Sequence, residues 1–227
     1  MGVDDVILTG NKAKEAFQQL QSSVNGQLSL SMDDKGKVTA TQVEGSTLSK
    51  GASELLAATS DSSVTVNVSA TDNDITSGGE GPLLGFFGGN KSDNPSIESS
   101  LPGAPDQKIV ANQEVNADAL GKLSNINGNP GQAMLHEVTE AYRGAVITQA
   151  DGNSGVRSTA NNDDGGNPTS VYRRAHDGAV SQGGNISEHF YNAQGQEVYR
   201  GSSNFQPVQL IYTTGNNTPF HTVPKQR

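Results

Sequence analysis

Apolar residues recur at helical spacing over 12–22, where Ala13, Ala16, Phe17 and Leu20 share one face and predict an amphipathic helix. Leu28, Leu30 and Met32 then alternate with Ser29 and Ser31, the period of a half-buried strand. A turn at 34–37 and the run 38–43 predict the returning arm of a hairpin. Residues 46–60 predict a second helix, capped by Ser46 or Ser49, with Leu48, Ala52, Leu55 and Leu56 on one side. The clearest strand is 63–70, where Val64, Val66 and Val68 oppose Thr65, Asn67 and Ser69.

The pattern then breaks. From 71 to about 107 the chain is dominated by glycine, proline and asparagine and reads as one long loop. It is either an insertion pinned by Phe86 and Phe87 or a segment that shapes a cleft. A short strand is expected at 108–111, a turn of helix or an extended edge at 115–123, and a loop at 125–131. Residues 132–149 form the strongest helix candidate. A second polar loop covers 151–167, and a short helix follows at 169–180 with Thr169 as its cap. Strands are expected at 189–192, 196–200 and 208–212, with a frayed tail over 213–227. The sum is one α+β domain over 1–227: a short twisted sheet, one prominent helix and long Gly/Asn-rich loops.

Composition narrows the chemistry. The formal charge is −9, from 15 basic and 24 acidic residues, which argues against a nucleic-acid partner. Hydrophobic residues make up 32%, so the core must be small and aliphatic. Cysteine is absent, which excludes disulfides and thiolate-ligated metals. Any metal site must use histidine and carboxylate, and with 4 histidines it nearly has to include His136. No apolar run approaches the ~20 residues that span a bilayer, so no membrane partner is expected. The first ten residues lack a basic stretch followed by an apolar one, so no signal peptide is expected. Met1-Gly2 reads equally as a natural start or as the start of an excised domain.

The candidate chemistry sits in the helix 132–149. His136 and Glu140 are four apart and share a face, and Glu137 projects about 100° away. This is the spacing of the H-E-x-x-H zinc helix, with glutamate in the place of the second histidine. In that motif the outer residues hold Zn²⁺, and the inner glutamate is general base toward a metal-activated water. A carboxylate is a legitimate Zn²⁺ ligand, so a further histidine would complete a His₂Glu set. His176 is the best candidate, and His189 and His221 are weaker ones. Tyr172, one turn before His176, is the leading candidate to donate to a developing oxyanion; Tyr142 and Tyr191 are others.

The run GQAMLHEVTEAYRGA over 131–145, with the later YRRAH, resembles the metallopeptidase-type toxin domains at the C-termini of bacterial RHS and other polymorphic-toxin proteins. The order of elements over 11–180 is similar to that of minimal-zincin effector peptidases. The resemblance implies a secreted or injected effector that cleaves a protein or peptide in a target cell. It also implies a possible immunity protein or parent RHS-type chain as partner. Carried over, His136 and Glu140 would be metal ligands and Glu137 the base. Glu140 is a departure from the family pattern, and it keeps a second reading open: a catalytically degenerate zincin-like binding or structural module of a larger secreted or surface protein.

Other motifs are absent. There is no Walker A and no nucleophile elbow. The acids at Asp72, Asp74, Asp163 and Asp164 lack the spacing of an EF-hand. Glu137 and Glu140 could pair for glycoside hydrolysis, but such pairs usually come from different elements.

Overall fold

The valine alternation of 64–70 becomes the centre of a six-stranded sheet in the computed structural model, which describes residues 5–79, 81–92, 108–151, 167–203, 205–215 and 217–224. The chain enters through β1 (Asp5–Thr9), α1 (Ala13–Ser23) and the hairpin β2 (Leu28–Met32) and β3 (Lys37–Gln42). Then come α2 (Lys50–Ala58), β4 (Val64–Thr71), β5 (Gly85–Ser92) and β6 (Ile109–Asn116). Two helices follow directly, α3 (Ala117–Ile126) and α4 (Gln132–Asp151). The strand order is β2-β3-β1-β4-β6-β5. The three central strands run parallel, and the outer pairings are antiparallel. The α+β class is as expected.

Register places one apolar face under the helices. Val6 lies beside Val66, which lies beside Ala111; Leu8 lies beside Val68, which lies beside Gln113. All of these are buried. The next residue on each strand points the other way, as the two-residue period requires, and there Thr9, Asn67 and Asn112 are exposed or half-buried. The helix α4 is central. It packs on β4, β5 and β6 and is flanked by α1, α2 and α3. Every residue from Ala133 to Ala141 is buried, so its polar side chains cannot be left to solvent.

The last part of the chain adds α5 (Val171–Gly178), which packs on α4. A second, antiparallel sheet follows, with β7 (Ile186–Tyr191), β8 (Glu197–Val198), β9 (Gln209–Thr214) and β10 (Pro219–Pro224) in the order β10-β9-β7-β8. Leu210, Tyr212, Phe220 and Val223 from this sheet join the main core.

Several expectations are corrected. The region 71–107 is not one loop, because β5 pairs antiparallel with β6 within it. Its glycines read as breakers, yet Gly85 and Gly88 let the strand lie close to neighbouring groups. Residues 93–107 lie outside the described residues, as do 152–166 of the second loop. The strand at 108–111 continues to Asn116, and Asn116 then caps α3 by accepting from the Ala119 N–H at 3.0 Å. Of the two expected caps of α2 it is Ser49 that accepts, from the Ala52 N–H, whereas α5 is capped by Ser170 and not Thr169. The described part of the tail, up to 224, is not frayed: β10 pairs with β9, and Phe220 and Val223 are buried, while 225–227 lie outside the described residues. The alternation that carries it is interrupted by a bulge between Pro219 and His221, which hides the two-residue period.

Candidate metal centre

Two elements bring the site together. The first turns of α4 present His136, Glu137 and Glu140, and the last turn of α5 presents His176. The hydroxyl of Ser170 accepts from the Arg173 N–H at 3.0 Å and fixes where α5 begins. Lys50 of α2 donates to the carbonyl of Gly178 at 3.0 Å and ties down where it ends. The chain then passes Val180 along α4. There the Val180 N–H donates to Thr139 Oγ1 at 3.4 Å, and the Thr139 hydroxyl donates to the His136 carbonyl at 3.1 Å.

His136 is oriented by that passage. Its Nδ1 lies 2.6 Å from the carbonyl of Val180, an acceptor, so Nδ1 carries the proton. Nε2 then faces inward, 3.6 Å from Glu140 Oε2 and 3.3 Å from His176 Nδ1. His176 Nδ1 is 2.6 Å from the same carboxylate oxygen. His136 and Glu140 are buried, while the His176 side chain is 32% exposed, so the group opens to solvent on the α5 side.

These three atoms fit a cation. They lie within 4.8 Å of one another, and among the described residues no other set of histidines and acids converges in this way. An ion held tetrahedrally at about 2.0–2.1 Å from each ligand sets about 3.4 Å between ligand atoms. Two of the three separations are already close to that value. The third, His176 to Glu140, is a hydrogen bond that must open by less than ~1 Å. The proton on Nδ1 of His136, held by a backbone carbonyl, is the arrangement that commonly orients a metal-binding imidazole. The buried group of His136, Glu140 and His176 can therefore hold a metal ion.

Glu137 stands apart from this group. Its Oε2 accepts from Gln113 Nε2 at 2.5 Å, and its carboxyl packs against Gly85. A Cβ at Gly85 would overlap both carboxyl oxygens, so only glycine permits the approach. Gly85 itself is exposed at the start of β5, which brings the outside close to a buried acid. Gln113 also donates to Glu140 Oε1 at 3.2 Å.

Electrostatics separate the two glutamates. Burial raises the Glu137 carboxyl, the nearby charge of Glu140 raises it further, and the result is about 7. Burial acts on Glu140 in the same sense, but hydrogen bonds from His136 and His176 outweigh it and hold Glu140 below its ordinary value. Burial pulls His136 down, yet Glu140, Glu137 and the Val180 carbonyl more than offset this and raise it to about 9. His176 is raised chiefly by its hydrogen bond to Glu140.

The structure places the other candidates as follows. Tyr172 is buried one turn before His176, its ring 5.7 Å from that imidazole and 5.5 Å from Phe87. Phe87 in turn fills the space over Gly144, where no Cβ fits. Tyr142 donates to Asp61 at 3.0 Å and belongs to the packing of α4. Tyr191 lies in β7. His189 is engaged by Glu197 and Thr213, and His221 faces Asp74; neither reaches the site. Gln113, Gly85 and Val180 were not anticipated. Gln113 carried one signal, a polar residue at an inward position of a strand whose other inward residues are apolar.

No protein-family model, no curated protein and no solved structure matches this chain.

Proposed function

We propose that this protein is a zinc-dependent peptidase that acts as a bacterial effector or toxin domain. The observation that carries the reading is the convergence of His136, Glu140 and His176, with a separate buried acid, Glu137, held beside them. His₂Glu is a known catalytic zinc set with an open position for substrate. A bound zinc ion would supply Lewis acidity toward a carbonyl oxygen and an attacking water. Glu137, a buried acid beside the ligand set, would be the group to take a proton from that water. Glu140, flanked by two imidazoles, stays ionised and serves as ligand.

An extended peptide is the favoured substrate. β5 ends the sheet and pairs only with β6 among the described residues, and its first residue, Gly85, touches Glu137. A strand added along that edge would pass beside the base. The net charge of −9 speaks against nucleic acid. Among the described residues no helix is long and apolar enough to cross a membrane. The effector setting, with delivery as part of a larger bacterial chain and an immunity protein as partner, rests on the resemblance of the α4 motif to the polymorphic-toxin peptidases.

Metal analysis of the purified protein, prepared without chelator, tests the first half of the reading. One zinc per chain is expected, lost in His136→Ala. A chain free of zinc and unable to take it up would overturn it. Glu137→Gln tests the second half. It should keep zinc and fold while peptide cleavage, or toxicity to a target cell, falls by about 10²–10⁴.

A further inference from the structure

Two glutamates three apart on one helix are neighbours, with flexible arms of equal length. Helical spacing puts Glu140 on the face of His136 and Glu137 about 100° away, but both flexible arms can still swing toward an ion, so keeping one as ligand and the other free needs a contact from outside the helix. We infer that Gln113 makes that assignment: its amide holds Glu140 to one free oxygen for the ion and keeps Glu137 off it. Gln113 is thus a positioning residue from β6, and the inference rests on the metal reading of His136, Glu140 and His176.

The geometry supports this at each atom. A primary amide nitrogen carries two N–H groups, and here the amide turns that nitrogen toward both carboxyl groups. One N–H meets Glu137 Oε2 at 2.5 Å and the other Glu140 Oε1 at 3.2 Å. The Glu140 carboxylate is thereby divided. Oε1 is held by Gln113, and Oε2 faces both histidines. Bidentate binding would require breaking the amide contact. Glu137 is held on two sides, by the amide and by the backbone at Gly85.

The position is also poor for glutamine on packing grounds. The other residues on this face of β6 are Ile109, Ala111 and Val115, all fully buried. Gln113 is 2% exposed, and among the described residues its Oε1 has no hydrogen-bond partner. A buried acceptor without a partner is destabilising. Leucine or methionine would avoid that cost. What glutamine offers here, and they do not, is a neutral double donor between two acids.

Cobalt(II) is the probe, because its visible spectrum reports coordination number without any assay of activity. The intact protein should bind Co²⁺ with the intense bands of a four-coordinate site. Gln113→Met, similar in length but without a donor, should bind Co²⁺ about 10- to 100-fold more weakly. It should also show the weaker bands of a higher-coordinate site, as Glu137 or the second oxygen of Glu140 joins the ion. Glu137→Gln in the intact background should change neither affinity nor spectrum. Equal affinity and an unchanged spectrum in Gln113→Met would overturn the inference while leaving the metal reading intact. Should Gln113→Met fail to fold, Glu137→Gln alone decides: a loss of Co²⁺ affinity or an altered spectrum there makes Glu137 a ligand and overturns the assignment. Failure of the intact protein to bind either Co²⁺ or Zn²⁺ overturns the metal reading itself.

Discussion

The Nδ1 of His136 donates to the carbonyl of Val180 at 2.6 Å, which joins the central helix to the chain leaving α5. That single bond sets the tautomer of His136 and brings the segment that follows His176 against α4. The carbonyl is itself held through Thr139, whose hydroxyl accepts from the Val180 N–H. Thr139→Val keeps the shape and removes the hydroxyl. It should cost about 1–2 kcal/mol in denaturant unfolding, because a buried N–H loses its acceptor. Zinc affinity, measured by competition with a chromogenic chelator, should fall about 10-fold as Val180 loosens.

Gly85 tests the close approach of β5 to the base. Gly85→Ala would drive a methyl into both oxygens of Glu137. The strand or the acid must move, at a cost of about 1–3 kcal/mol. Thermal unfolding should report the loss. Peptide cleavage should fall more steeply than zinc content, since Glu137 and not the ligand set takes the strain. Equal loss of both would show that the strain reaches the ligands.

Ser170 controls His176 from the far end of a short helix. Ser170→Ala removes the cap of α5, worth about 1 kcal/mol. Because α5 supplies only one ligand, the variant should remain folded by circular dichroism yet bind zinc more weakly. Thr169→Ala should be silent by comparison.

The metal-free and metal-bound proteins should respond to pH in opposite senses. In the metal-free protein His136 is raised from 6.5 to about 9. Its stabilisation is therefore full below 6.5 and lost as pH rises through 9, on the order of 3 kcal/mol. Glu137, raised to about 7, acts in the same direction: its contribution is full below 4.5 and lost on passing 7. Glu140 is lowered, so its contribution is present above 4.5 and lost in stronger acid. Unfolding in chelator should show greatest stability in mild acid and decline toward pH 9. Zinc affinity should instead rise over that range, because the ion must displace protons from both histidines. A flat chelator profile would contradict the charge arrangement described for the site.

Much of the architecture was readable from local pattern. The strand at 63–70 declared itself because one face is buried, and burial writes the period into the sequence; the helix at 132–149 was legible from its length and apolar content, although Ala133–Ala141 is buried all round. β5 did not, because Gly85, Gly88 and Gly89 carry no side chain to mark a face. β10 did not, because a bulge interrupts its alternation. The sequence leaves the cap of α2 between Ser46 and Ser49 and places that of α5 one residue early, at Thr169, since serine and threonine abound on the approach to both helices and only backbone geometry selects among them.

The sequence by itself determined the chemistry available: no cysteine, few histidines, and one helix on which His136, Glu137 and Glu140 must lie at known angles. Helical geometry alone dictates those angles, so no tertiary contact was needed to read them. Only the folded chain decided that His176 completes the group and that His189 and His221 do not. Only there do Gln113 and Gly85 meet Glu137, and Val180 meet His136. These contacts join residues far apart in the chain, and strand register and helix packing create them. Neither leaves a mark in local spacing, which is why the ligand set could be anticipated and the residues that hold it in place could not.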